Sequence, residues 1–119
     1  MIRMDIILPY PPAANLSPLG RARKTAYAER CRGLLSGNVP MHGDLYMAAR
    51  FYPSRHPAGD LDNLLKTLLG TLKGFAFVDD NQVRAMYVLM MDFDKNNPRV
   101  ELRISAHRPQ KQQHERILQ

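Results

Sequence analysis

Residues 59–74 read Gly-Asp-Leu-Asp-Asn-Leu-Leu-Lys-Thr-Leu-Leu-Gly-Thr-Leu-Lys-Gly. Leu61, Leu64, Leu65, Leu68, Leu69 and Leu72 fall at i, i+3, i+4, i+7, i+8 and i+11, a single apolar stripe. The spacing predicts a helix over 60–74. Gly74 suits its C-terminal stop, and Asp60 or Asp62 suits its N-terminal end. A stretch of strand alternation lies on each side. Upstream, Leu45, Met47, Ala49 and Phe51 share one face of 44–52. Downstream, Val83, Ala85, Tyr87, Leu89, Met91 and Phe93 alternate through 83–93. A helix set between two strands predicts a right-handed crossover that leaves them parallel.

The rest of the chain is read outward from this unit. Ile2, Met4, Ile6 and Leu8 alternate with Arg3 and Asp5, a strand over 3–8 that Pro9, Pro11 and Pro12 end. A loop over 13–20 precedes a basic helix over 21–35. Gly37 to Gly43 reads as a turn, and Pro53, Pro57 and Gly59 mark the loop before the leucine helix. Asp94-Lys95-Asn96-Asn97-Pro98 is turn chemistry. After it Val100, Leu102 and Ile104 alternate with Arg99, Glu101 and Arg103. The last two strands are therefore expected to form a β-hairpin. The order is β-α-β-α-β-β. It predicts a small α+β domain over 1–106, with a mixed four-stranded sheet and two main helices. A polar, basic tail follows over 107–119.

At 119 residues, 45% hydrophobic and 24% charged, the chain has the size and composition of one globular domain. Its longest apolar runs fall short of the ~18 residues that a membrane span needs. The lone Cys31 can form no internal disulfide, which fits a reducing cytoplasm and excludes a cysteine-based zinc site. The net charge of +6 suggests an anionic partner. Residues 1–58 hold eight Lys/Arg and three acids, and 95–119 hold six and two. Between them, residues 59–94 hold three Lys/Arg and six acids. Acids gathered inside a basic chain fit a metal site set in a polyanion-binding surface, or a solvated surface with chance clustering.

Four of these six acids fall in two groups, Asp60 with Asp62 and Asp79 with Asp80. Inside one helix Asp60 and Asp62 would sit about 200° apart and could not share an ion. With Asp60 still extended at the cap, both can face the same way, and Pro57 and Gly59 favour such an entrance. Lys66 lies one turn after Asp62 on the same helical face. Asp79 and Asp80 follow the helix and reach this site only if the chain returns alongside the helix start. Two carboxylates ~4 Å apart repel by ~4 kcal/mol at an effective dielectric near 20. A hard cation such as Mg²⁺ reverses that sign, taking carboxylates, waters and phosphate oxygens as ligands. Such a site generates a hydroxide and polarises a phosphodiester, and a neighbouring lysine offsets charge on the phosphorus oxygens. The same residues also read as a helix cap, a surface Asp62–Lys66 pair and an Asp-Asp-Asn turn.

Other residues read more simply. His42, His56, His107 and His114 lack ligand spacing. Cys31 suits a buried small residue better than a nucleophile. Tyr46, Tyr52 and Tyr87 suit sheet packing better than base stacking. Met86, Met90 and Met91 suit a core or a dimer interface.

The sequence resembles the RusA family of Holliday junction resolvases, endodeoxyribonucleases of bacteria and their phages. Three blocks carry the resemblance, which runs to about residue 105. They are Ile7-Leu8-Pro9-Tyr10-Pro11-Pro12 with Asn15, Asp60-Leu61-Asp62-Asn63-Leu64 with Lys66, and Gly74-Phe75 with Val78-Asp79-Asp80-Asn81-Gln82-Val83. It implies a Mg²⁺-dependent homodimer that nicks opposed strands of a four-way junction. By the same resemblance Asp60, Asp62 and Asp80 are the catalytic metal ligands and Lys66 the catalytic lysine. Arg21, Arg23, Lys24, Arg30, Arg32, Arg55 and Lys73 are the basic residues expected on DNA. A two-fold dimer would match the two equivalent strands of a junction. The 83–93 strand, apolar on both faces, gives the chain a reason to pair, because a helix layer covers only one face. The rival readings are a non-catalytic DNA-binding dimer, a structural or regulatory dimer, and a less selective nuclease of flaps or branches.

Overall fold

The computed structural model describes residues 3–12, 17–55 and 59–108. Asn15, the His56-Pro57-Ala58 stretch and the tail beyond residue 108 lie outside the described residues. In chain order the elements are β1 (Arg3–Pro9), α1 (Pro18–Leu35), β2 (Leu45–Tyr52), α2 (Leu61–Leu72), β3 (Val83–Met90) and β4 (Arg99–Ala106). A 3-10 turn, Asp80–Gln82, leads into β3. The fold is the expected α+β domain with the expected order.

The sheet order is β1-β4-β2-β3. β2 and β3 are parallel, joined through α2 as the crossover reading requires. β4 lies antiparallel to both β1 and β2. The expected hairpin between the last two strands is not formed, because β2 occupies the place between them. β3 ends at Met90 rather than residue 93, which leaves 91–98 free to cross the end of β2. Met91 N–H donates to Phe51 O at 2.8 Å and Asp94 N–H to Pro53 O at 2.7 Å along that path. Eight residues easily span two strand spacings of ~4.8 Å. Turn chemistry fixes a reversal of direction without fixing the partner.

α1 begins at Pro18, ahead of the expected 21. Ser17 caps it by accepting from Gly20 N–H at 3.0 Å, and proline suits the first helical position because its missing N–H would have no partner there. Both helices cover one face of the sheet. That face buries Leu8, Leu45, Met47, Ala49, Phe51, Val100, Leu102 and Ile104 against Tyr27, Cys31 and Leu35 of α1 and Leu64, Leu68 and Leu72 of α2. The opposite face carries ion pairs over β1, β4 and β2. Asp5 holds Arg3 at 3.2 Å and Arg103 at 2.9 Å, and Glu101 holds Arg99 at 3.0 Å. The Arg99 guanidinium also lies 3.9 Å from the centre of the Tyr52 ring. Charge thus covers much of this face, while Ile7 of β1 and Tyr87 of β3 leave apolar surface on it.

Candidate functional site

Asp60 enters α2 in an extended conformation, the entrance that the i, i+2 reading calls for. Asp60 is the N-cap, with extended φ −79° and ψ 131°, and Asp62 sits in the first helical turn. An N-cap aspartate ordinarily accepts from a backbone N–H of its own helix. Asp60 makes no such bond; its carboxylate accepts a long 3.5 Å contact from Asn63 Nδ2. Asp60, Asp62 and Lys66 are all exposed, and no ion pair joins Asp62 to Lys66 among the described residues. The carboxylates are available to a ligand, and their hard oxygens suit a divalent cation that keeps waters and phosphate oxygens in its remaining positions.

Gly59 directs the chain into this position, with φ +92°. An L side chain there meets its own carbonyl at a cost of roughly 1–2 kcal/mol. Gly59→Ala should lower stability by about that amount, read as a lower urea midpoint. It should also reduce activity further than stability, because Asp60 follows directly.

A cleft of about 540 Å³ opens beside this entrance, lined by Gly59, Leu64 and Pro53, by Tyr10, Pro11 and Pro12, and by Ala26 and Tyr27 of α1. Arg23, Arg30 and Arg55 line it as well and are exposed. Its walls are tied by long-range contacts that local sequence does not announce. Tyr27 Oη–H donates to Pro9 O at 2.6 Å, and the Tyr10 ring meets Phe51 edge-on at 6.2 Å. Burial pushes the Tyr10 hydroxyl up to about 12 and Tyr27 higher still. Cys31 is fully buried in the core, and that burial raises its thiol.

The basic helix does not present all its cations together. Arg23 and Arg32, and likewise Arg21 and Arg30, are nine residues apart, half a turn around the axis. Arg23 and Arg30 therefore face the cleft, while Arg21 and Arg32 lie on the other flank. Arg32 sits 5.9 Å from the Phe75 ring, and Lys24 is half-buried. Lys73, at the far end of α2, pairs with Asp79 at 2.8 Å.

The acids are also divided. Asp80 lies in the turn after α2, near Lys73, whose ammonium is raised first by its bond to Asp79 and also by the Asp80 charge. The helix is twelve residues long, about 18 Å, and Asp60 and Asp62 are at its other end. The return of the acidic loop to the helix start does not occur within one chain. Among the described residues no group of three His, Cys, Asp or Glu could hold a metal. The parallel β2–β3 pair explains this, because a crossover helix must carry the chain back the full length of the sheet.

Within the acidic loop the two carboxylates differ. Asp79 is held low by Lys73 and by Asn81 N–H, which donates to it at 3.1 Å. Asp80 is exposed, and among the described residues it enters no ion pair. Gln82 anchors the loop, a role the sequence reading did not assign. Its Oε1 accepts from Val78 N–H at 2.8 Å and Asp79 N–H at 2.9 Å, and its Nε2 donates to Met41 O at 2.9 Å and Gly43 O at 3.0 Å. Asp79 and Gln82 form a capping box, whose Asp-x-x-Gln spacing is legible in sequence.

The family model for Endodeoxyribonuclease RusA matches residues 20–105. That span holds the α2 entrance, Lys66, the acidic loop and every basic residue expected on DNA. The chain belongs to the RusA family. RusA proteins are endodeoxyribonucleases of Holliday junctions, so the enzyme class is hydrolysis of phosphodiesters in junction DNA. The opening strand and proline turn lie outside the matched span, although Tyr10, Pro11 and Pro12 line the cleft. No curated protein matches the chain at a significant level. No helix among the described residues is long and apolar enough to cross a membrane.

Proposed function

We propose that this protein is a Mg²⁺-dependent, structure-selective nuclease that resolves four-way junctions by paired nicks, in recombination and repair in the cytoplasm of a bacterium or phage-infected cell. The observation that carries the reading is the α2 entrance. Two exposed carboxylates stand there, one of them not spent on capping its helix, and Gly59, directly before Asp60, lines a cleft together with Arg23, Arg30 and Arg55. Asp60 and Asp62 would hold the cation, and a bound cation supplies a polarised phosphodiester and a water of lowered pKa. Asp80 is too far away to join them in its own chain, so the third carboxylate comes from a second copy. Arg23, Arg30 and Arg55 receive backbone phosphates, and the α2 N-terminus adds its own positive field. Lys66, one turn inside the helix, sets its ammonium against charge that builds on the non-bridging oxygens.

The test is cleavage of a synthetic four-way junction beside linear duplex and flap controls, with Mg²⁺ and with EDTA. Symmetric nicks in the junction are expected only with Mg²⁺. A junction retarded in a gel but never cut would leave a DNA-binding protein whose acids cap and turn. Equal cutting of flaps would leave a nuclease without the selectivity.

A further inference from the structure

The sheet face that the helices leave open has a groove of its own. It holds about 510 Å³ and shares no lining residue with the arginine cleft. Strand register explains its shape. Asp5, Arg103, Ala48 and Tyr87 stand side by side across the four strands in one row, and Ile7, Glu101, Arg50 and Leu89 in the next. Ala48 is the smallest side chain in either row, so the surface dips there between Arg103 and Tyr87. Both walls of the dip are planar groups. Tyr87 is 58% exposed. Asp5 holds Arg103 through Nε at 2.9 Å, a bond at the edge of the guanidinium that leaves its flat faces for stacking. Neighbouring strands are ~4.8 Å apart. A ring over Ala48 would have a planar group about that far away on either side, within the range at which offset rings attract.

Arginine also outnumbers acid on this face. Arg3, Arg50, Arg99 and Arg103 stand against Asp5 and Glu101. Arg50 lies 3.9 Å from the Glu101 carboxylate, a loose pair that leaves its fork open to a phosphate. A cationic groove with planar walls suits a chain that carries flat bases along an anionic backbone. A duplex keeps its base faces inside its own stack, so the chain must be unpaired. We propose that the open sheet face binds single-stranded DNA, with one base over Ala48 between Tyr87 and Arg103 and a phosphate of the same strand on Arg50. The choice of DNA among polyanions rests on the junction-nuclease reading above.

The experiment uses the full chain in EDTA and a fluorescent oligothymidylate of about 12 nucleotides, followed by anisotropy. The wild type should bind it, less tightly as salt rises. Tyr87→Leu removes one wall, and Ala48→Ile fills the dip with a side chain that suits a strand. Each should weaken binding about tenfold, with circular dichroism and light-scattering mass unchanged. An abasic oligomer of the same length should bind the wild type as weakly as oligothymidylate binds Tyr87→Leu. Arg23→Ala/Arg30→Ala should weaken junction binding and leave oligothymidylate binding unchanged. A wild type that does not bind the oligomer overturns the proposal. Loss of binding in the Arg23/Arg30 variant, with none in the sheet variants, overturns it too and puts the strand in the cleft. Equal binding of the abasic oligomer overturns the base slot, and this comparison decides alone should both sheet variants misfold. Oligothymidylate binding by a protein that never cuts a junction with Mg²⁺ would keep this site and discard the nuclease reading. Cutting without oligothymidylate binding would do the reverse.

Discussion

Asp62→Asn and Asp80→Asn proteins, each inactive alone, should regain junction cutting when mixed under conditions that exchange subunits. The expectation follows from the distance between the acids. Asp62 opens α2 and Asp80 follows its end, about 18 Å away by helix rise. If a site takes Asp60 and Asp62 from one copy and Asp80 from the other, a mixed dimer has one site with both defects and one with neither. Random exchange makes about half of the dimers mixed. Activity should return from none to a readily measured level, and the products should be single nicks instead of paired ones. The readout is product strand length on a labelled junction. A site complete within each chain predicts no rescue, since every chain in the mixture lacks an acid. The single variants should still bind the junction, because removing a carboxylate from a phosphate-binding cleft relieves repulsion.

Lys66→Ala should lower turnover by about 10²–10³-fold, the usual cost of removing one donor that stabilises transition-state charge, while junction affinity changes little. Lys66 is exposed, one turn from Asp62, and no ion pair holds it among the described residues. Its charge is therefore not spent on folding. An interaction made only in the transition state lowers the single-turnover rate at saturating protein and leaves binding intact. A variant that binds weakly but cuts normally once saturated would make Lys66 a positioning contact. Normal binding and cutting would make it an ordinary surface lysine.

Much of this molecule is settled within short windows of its sequence. The leucine period makes α2, and Gly74, at φ +85°, ends it where expected. Asp60 is extended at the helix cap, as the acid spacing and the neighbouring Gly59 lead one to expect. Alternation marks all four strands, and the helix between two of them makes β2 and β3 parallel. Ser17-Pro18 and Asp79-x-x-Gln82 are capping signatures of the same local kind. These features are legible because each depends on neighbours within a turn or two.

Tertiary structure decided the rest. β2 lies between β3 and β4 because pairing is a competition among strands. Local pattern says nothing about contacts such as Tyr46 with Ser105. The cleft exists because Tyr27 reaches Pro9 and because Arg23 and Arg30, unlike Arg21 and Arg32, face it. The division of the acids is the deepest case. Sequence brought Asp60, Asp62 and Asp80 together as one motif, but a crossover helix separates its two ends by its own length. Chain order lists candidate ligands, while the path of the backbone determines which of them one chain can bring together.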